Sequence, residues 1–197
     1  MRVGVSRRLI LLGGPNGAGK TTAAMRLLPD FLSLRDYVNA DAIASGLSAF
    51  APEKVARGAG RLMLRRIEEL AEQGSDFAFE TTLASRTFAP FLRRCGGRGY
   101  EVTVIYLWLP SADLAVERVA TRVRAGGHSV PEEVIRRRYA RGWRNFLDLY
   151  RPLATRWQVY DNSLAREVLV AEGEMGSSAR VATPERWAMI ATGPQAP

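Results

Sequence analysis

Apolar and polar positions along this chain alternate between two periods, and the alternation reads as strand, helix, strand, helix. Residues 8–12 are a short Leu/Ile run that ends on glycines, which predicts a buried first strand. Residues 20–28 predict a helix stopped by Pro29 and Asp30, and residues 37–39 a short second strand. Pro52–Gln73 predicts the longest helix. Val55, Ala59, Leu62, Met63, Ile67 and Leu70 share one face of it, with Arg57, Arg61, Arg65 and Glu68 on the other, and Gly74 ends it. Residues 76–79 predict a third strand and 87–94 a further helix. Residues 102–109 are apolar on both alternations, as a strand covered on both sides must be. Ser111 then caps a helix that Gly126 and Gly127 break, and Pro131, Glu132 and Glu133 open the next. Residues 158–160 predict a fifth strand. Beyond Asn162 come a weak strand at 168–170, a Gly/Ser loop, a short helix near 184–190 and a frayed end.

Strands alternating with helices predict an α/β protein, a mostly parallel sheet of five strands with helices on both faces. In such a sheet ligands bind at the carboxyl ends of the strands. That rule gathers residues 13–22, 40–41, 80–82, 110–111 and 161–162. The first group contains Gly14-Pro15-Asn16-Gly17-Ala18-Gly19-Lys20-Thr21, which fits G-x-x-x-x-G-K-[ST] at every fixed position, after a strand and before a helix. Its glycines let backbone N–H groups close on phosphate oxygens, and the helix start adds donors and a positive end. Lys20 suits the β- and γ-phosphates of ATP, Thr21 offers a hydroxyl to Mg²⁺, and Thr22 follows in the first turn. The fold this predicts is the three-layer P-loop NTPase fold.

Asp41 follows the second strand. It either accepts a substrate proton as a hydroxyl attacks the transferred phosphate or caps the helix at 42–46. Glu80, Thr81 and Thr82 follow the third strand and are placed to bind substrate. Glu80 is also the nearest carboxylate for Mg²⁺, directly or through water, because the usual four apolar residues followed by Asp are absent. Arg118 and Arg122 share a helix face and Arg124 precedes the glycine pair. With Arg136, Arg137 and Arg138 they predict a helical lid over about 118–138 that supplies cationic charge to phosphoryl transfer. His128 is either a structural hydrogen-bonder or part of that lid. Asp161 and Asn162 either contact adenine or make a turn. Trp143, Phe146, Leu147 and Tyr150 read as core, and Cys95 as an inert filler. Residues 1–172 form the catalytic domain on this reading, and 173–197 a C-terminal extension.

Composition narrows the classes. With 47 % hydrophobic and 24 % charged residues the 197-residue chain is globular rather than disordered. No apolar run approaches the about 20 residues of a membrane span. Residues 9–12 fall short of the about 7–15 a signal peptide requires, so the expected location is the cytoplasm. One cysteine excludes a disulfide framework and a multi-cysteine metal site. The net charge is +8, and all but two of the 28 basic residues are arginine, which isolates Lys20 and suits an anionic partner.

Set in order, Gly-Pro-Asn-Gly-Ala-Gly-Lys-Thr (14–21), Val-Asn-Ala-Asp (38–41), Phe-Glu-Thr-Thr (79–82), Glu-Arg-Val (117–119), Gly-Gly-His-Ser-Val-Pro (126–131) and Arg-Arg-Arg-Tyr (136–139) resemble the zeta-toxin family of P-loop kinases over roughly residues 8–172. The resemblance implies ATP and Mg²⁺ as cofactors, UDP-N-acetylglucosamine or a related sugar nucleotide as acceptor, and an antitoxin protein as partner. It implies Asp41 as catalytic base, Glu80 and Thr82 at the substrate, and Arg118 in the lid. The second lid arginine has no clean match. Its place falls near His128, with Arg124 or residues 136–138 as substitutes. Two other readings of the residues stay open: a kinase of nucleic-acid 5′-hydroxyls, motivated by the charge, and a nucleotide-dependent switch that binds a protein without catalysis.

Overall fold

The computed structural model describes residues 7–29, 33–164 and 166–193. Asp30, read in sequence as part of a helix stop, and residues 194–197, where the sequence predicts a frayed end, lie outside the described residues. Strands β1 (Arg7–Gly13), β2 (Asp36–Val38), β3 (Phe77–Thr81), β4 (Tyr100–Trp108) and β5 (Arg156–Asp161) pair in parallel, and β6 (Val168–Glu174) and β7 (Arg180–Val181) add antiparallel. The order across the sheet is β2-β3-β1-β4-β5-β6-β7. The helices are α1 (Lys20–Leu27), α2 (Ala40–Leu47), α3 (Pro52–Gln73), α4 (Phe88–Gly97), α5 (Ala112–Arg124), α6 (Glu132–Asn145) and α7 (Pro184–Thr192). The result is an α/β P-loop kinase-like fold with a mixed sheet and helices on both faces.

Among the described residues the sheet has seven strands, not five. β6 is hard to see in sequence because Glu172, Gly173 and Glu174 interrupt its apolar run. Partners on neighbouring strands hold it instead: Gln158 and Arg180 donate to Glu172, and Arg156 pairs with Glu174 at 3.2 Å. A division after residue 172 therefore falls inside β6. Beyond it, Trp187 of α7 stacks on Trp157 at 5.7 Å, and Trp143 Nε1 donates to the Ile190 carbonyl at 2.8 Å. Residues 173–193 thus pack on the same core. β3 begins one residue later than the pattern suggests, because the Asp76 carboxylate accepts from the Arg8 N–H at 2.7 Å and closes the strand start with a side chain.

The core is aromatic along one face of the sheet. Phe77 and Phe79 meet Phe88 and Phe91 of α4, and Tyr106 stacks on Phe146 at 4.5 Å. Burying each such ring stabilises by about 1.5–3 kcal/mol. Trp143, Phe146 and Tyr150 are buried, as the apolar stripe predicts, and α6 carries it onward through a π-helical turn, Phe146–Tyr150. On α3, Ala59, Met63, Ile67 and Leu70 face inward, whereas Leu62 is 40 % exposed. Cys95 is buried, and burial pushes its thiol up to about 11, so it packs as a small apolar group.

One contact matters for the site. A Cβ on Gly142 would lie 2.2 Å from the Thr82 carbonyl oxygen, so α6 lies directly against the loop after β3. Asn145 donates to the Leu83 carbonyl at 2.7 Å and Tyr150 to that of Ser85. In an open helix Gly→Ala gains up to about 1 kcal/mol. Here Gly142→Ala should instead cost about 1–3 kcal/mol through overpacking. Urea denaturation checks this, and a stabilised variant would show the helix free to move away from the loop.

Candidate active site

The P-loop leaves β1 at Gly13 and enters α1 at Lys20. Gly17 and Gly19 hold φ of 78° and 79°, a region that costs an L-residue energy and turns N–H groups inward. A side chain at position 19 would collide with Asn162 Nδ2 at 2.7 Å. That amide donates to the Ala18 carbonyl at 2.7 Å, so the end of β5 braces the loop from outside. Lys20 is buried, and its Nζ donates to the Pro15 carbonyl at 2.9 Å. Burial lowers its pKa below the ordinary value; Glu80 and then Asp41 oppose that, while Arg122 and Arg138 add to it.

Thr21 Oγ1 lies 3.0 Å from both carboxylate oxygens of Glu80. Tyr37 of β2 donates to the same carboxylate, and Asn39 Nδ2 reaches Thr21 Oγ1 at 3.3 Å. Burial first, and the Glu80 charge second, push the Tyr37 hydroxyl well above its usual range. Mg²⁺ takes oxygen ligands and keeps several waters and phosphate oxygens. A hydroxyl and a carboxylate at the loop mouth fit that preference. Among the described residues no group of three or more His, Cys, Asp or Glu forms a cage for a metal.

Asp41 is not the helix cap. Asn39 is, with its Oδ1 accepting from the N–H groups of Asp41 at 2.7 Å and Ala42 at 3.2 Å. The Asp41 carboxylate is thereby left to line a cavity of about 670 Å³, which it shares with Asn16, Lys20 and Glu80. Thr81 and Thr82 line it too. The Thr81 hydroxyl accepts from the Leu83 N–H at 3.2 Å, and Leu83 takes a left-handed φ of 58°. The α6 contacts described above hold that strained turn in place.

The arginines separate into two groups. Arg118 donates to the carbonyls of Asn162 at 2.7 Å and Ser163 at 2.9 Å, tying α5 to the end of β5 outside the cavity lining. Arg122 donates to the His128 carbonyl at 2.9 Å. Arg124 donates to Thr121 Oγ1 on its own helix, away from the cavity, and Arg136 pairs with Asp113 and Glu132. The cavity is lined instead by Arg57 and Arg61 of α3 and by Arg137, Arg138 and Arg141 of α6, with His128 beside them. Arg141 follows Arg138 by three residues and Arg137 by four, spacings that set it on their face of α6. That spacing is the signal that could have found Arg141, while Arg57 and Arg61 read in sequence only as a solvated face. With Lys20 these make six cations against the two carboxylates of Asp41 and Glu80, a field that favours a polyanion. Asp161 and Asn162 make a turn, with Asp161 Oδ1 accepting from the Ser163 N–H at 2.8 Å and paired to Arg186. Thr22 is exposed beside Thr21.

The fold and this loop define a P-loop kinase-like domain. The profile of the AAA domain family (AAA_33) matches residues 9–142, and the chain belongs to that family. An uncharacterized protein of Haemophilus influenzae is 24 % identical over 137 residues, covering 68 % of this chain and 94 % of that one. The fold is similar to a chain of the AvrRxo1-ORF1:-ORF2 complex with ATP, at TM-score 0.78 and 17 % identity over 98 % of this chain. This chain spans 66 % of that one's length. It is similar also to a chain of the PezAT toxin-antitoxin system of Streptococcus pneumoniae, at TM-score 0.65 and 17 % identity, covering 91 % of this chain and 76 % of that one. No helix among the described residues is long and apolar enough to cross a membrane.

Proposed function

We propose that the protein transfers the γ-phosphoryl group of ATP to a hydroxyl of a small anionic acceptor, of which a sugar nucleotide such as UDP-N-acetylglucosamine is the first candidate. One observation carries the reading: a single cavity joins the P-loop lysine, a free carboxylate at Asp41 and a wall of arginines. Asp41 accepts the acceptor's proton as its oxygen attacks the γ-phosphorus, and the bond to the β–γ bridging oxygen breaks to release ADP. Lys20 leaves the Pro15 carbonyl for the β- and γ-phosphate oxygens. Thr21 and Glu80 would hold Mg²⁺, which when bound would neutralise charge on the triphosphate. The α6 arginines stabilise the equatorial oxygens in transfer, and Arg57 and Arg61 receive the acceptor's own phosphates. A protein partner, as in PezAT, belongs to the same proposal.

Mass spectrometry on the protein with Mg²⁺-ATP and UDP-N-acetylglucosamine tests it. The expected result is a sugar nucleotide heavier by one phosphoryl group. ADP with the sugar nucleotide untouched would overturn this acceptor and keep phosphoryl transfer. No ADP with any hydroxyl acceptor would overturn the kinase reading.

A further inference from the structure

In sequence Tyr37 is one position of a short strand and nothing more. The sheet gives it a neighbour that the sequence does not show. β2 and β3 run in parallel, with Tyr37 opposite Ala78. Side chains two residues apart on a strand share a face, so Glu80, two beyond Ala78, stands on the face that Tyr37 occupies. Asn39, two beyond Tyr37, continues that face just past the end of β2 in extended backbone. The Tyr37 hydroxyl donates to Glu80 Oε2. Glu80 lines the cavity that holds Lys20 and Asp41, whereas Tyr37 is half-buried and is not part of that lining. The tyrosine thus grips the carboxylate from outside the cavity.

Chemistry fixes the direction of these hydrogen bonds. Asn39 is buried, and its Oδ1 is taken by the N–H groups of Asp41 and Ala42. Turning the amide over would set its own N–H groups against those two donors. Its Nδ2 edge therefore faces the Tyr37 hydroxyl at 3.5 Å and Thr21 Oγ1 at 3.3 Å. The phenol oxygen accepts from Asn39, and its one hydrogen goes to Glu80. Burial and the Glu80 charge both disfavour ionisation of the phenol, so it stays a donor. A glutamate side chain is otherwise free to turn, and the Lys20 ammonium, on which its charge acts, is a rival partner. With Oε2 held by Tyr37, Oε1 is kept 3.0 Å from the Thr21 hydroxyl. Mg²⁺ demands near-ideal octahedral geometry, so the placing of each oxygen counts. We infer that Tyr37 is a positioning residue for the divalent cation: its hydroxyl pins one oxygen of Glu80 so that the other, beside the Thr21 hydroxyl, meets the cation in a fixed place. The inference rests on the reading of Thr21 and Glu80 as the Mg²⁺ site and is independent of the acceptor.

Calorimetric titration with the non-hydrolysable triphosphate AMP-PNP, once in EDTA and once in saturating Mg²⁺, tests it. The ratio of the two affinities is what the cation contributes. Tyr37→Phe keeps the ring and removes only the hydroxyl, and a melting temperature near wild type checks that the strand is intact. The variant should cut the ratio about tenfold, with binding in EDTA unchanged. Glu80→Gln should cut it further. In the double variant Tyr37→Phe should add little to Glu80→Gln, because the hydroxyl acts only through that carboxylate. Equal losses in EDTA and in Mg²⁺ would mean that Tyr37 only packs the strand, and an unchanged ratio would mean that Glu80 needs no tether. Either result, or effects that multiply in the double variant, overturns the inference and leaves the metal site standing. A wild type that gains nothing from Mg²⁺, or a Glu80→Gln variant that loses nothing, removes the metal reading and this inference with it.

Discussion

Asp41→Asn is expected to leave Mg²⁺-ATP binding unchanged and to lower phosphoryl transfer about 10²–10⁴-fold, the range of a lost general base. Asparagine keeps the shape of the side chain and its place on the first turn of α2. It cannot take the proton of an attacking hydroxyl. The helix itself is not at stake, because Asn39 supplies the cap to the N–H groups of Asp41 and Ala42. A melting temperature close to wild type is the control that separates chemistry from folding. Transfer at wild-type rate in the asparagine variant would remove Asp41 from the mechanism and leave it as a surface acid of the cavity.

Lys20→Met should lower turnover about 10²–10³-fold through loss of a charged donor at the phosphates. It should also make the ligand-free protein more stable. The Lys20 ammonium is buried, and its pKa lies below the ordinary value of 10.5 in spite of Glu80 and Asp41. The folded state thus holds this proton less tightly than the unfolded chain does. The resulting penalty is complete at pH values below the folded pKa and fades as pH climbs through it toward the unfolded one. Methionine keeps the length and drops the charge, so its advantage in urea denaturation should be largest at the acid end of the range over which the protein stays folded and should shrink steadily as pH rises toward 10.5. A variant that is less stable than wild type at pH 7 would show that the bond to Pro15 outweighs the burial of the charge.

Much of this arrangement is readable in the sequence where local pattern and chemistry coincide. The strand–glycine–lysine junction fixes β1, the loop and α1 together, and the two-sided apolar run at 102–109 marks β4 as central. Asp41 and Glu80 could be placed because strand ends in a parallel sheet converge. What escaped depends on tertiary partners. Asn39 and Asp41 are both good caps, and only the backbone geometry selects the former. Arg118 lies beside Arg122 on a helix face, yet the carbonyls of Asn162 and Ser163, 44 and 45 residues away, capture its guanidinium. The cavity arginines at 57 and 61 look like ordinary solvated positions until α3 and α6 are brought to the same cavity. β6 carries two glutamates that only Gln158, Arg156 and Arg180 make tolerable in a sheet.

α6 joins two jobs that separate segments could have divided. Its middle carries Arg137, Arg138 and Arg141, and its far end, from Gly142 to the following turn, grips the loop of Thr82, Leu83 and Ser85. A flap on a free hinge would close over one substrate and leave the seat of the other untouched. This helix is instead a single beam resting on that seat. On the proposed function, a force that drew its arginines toward phosphate would be transmitted along the beam to the floor beneath the acceptor, and filling the acceptor's seat would load the beam in return. The two binding events would then be linked through one rigid element, and by reciprocity whatever one substrate did to the affinity of the other would be repaid in equal measure.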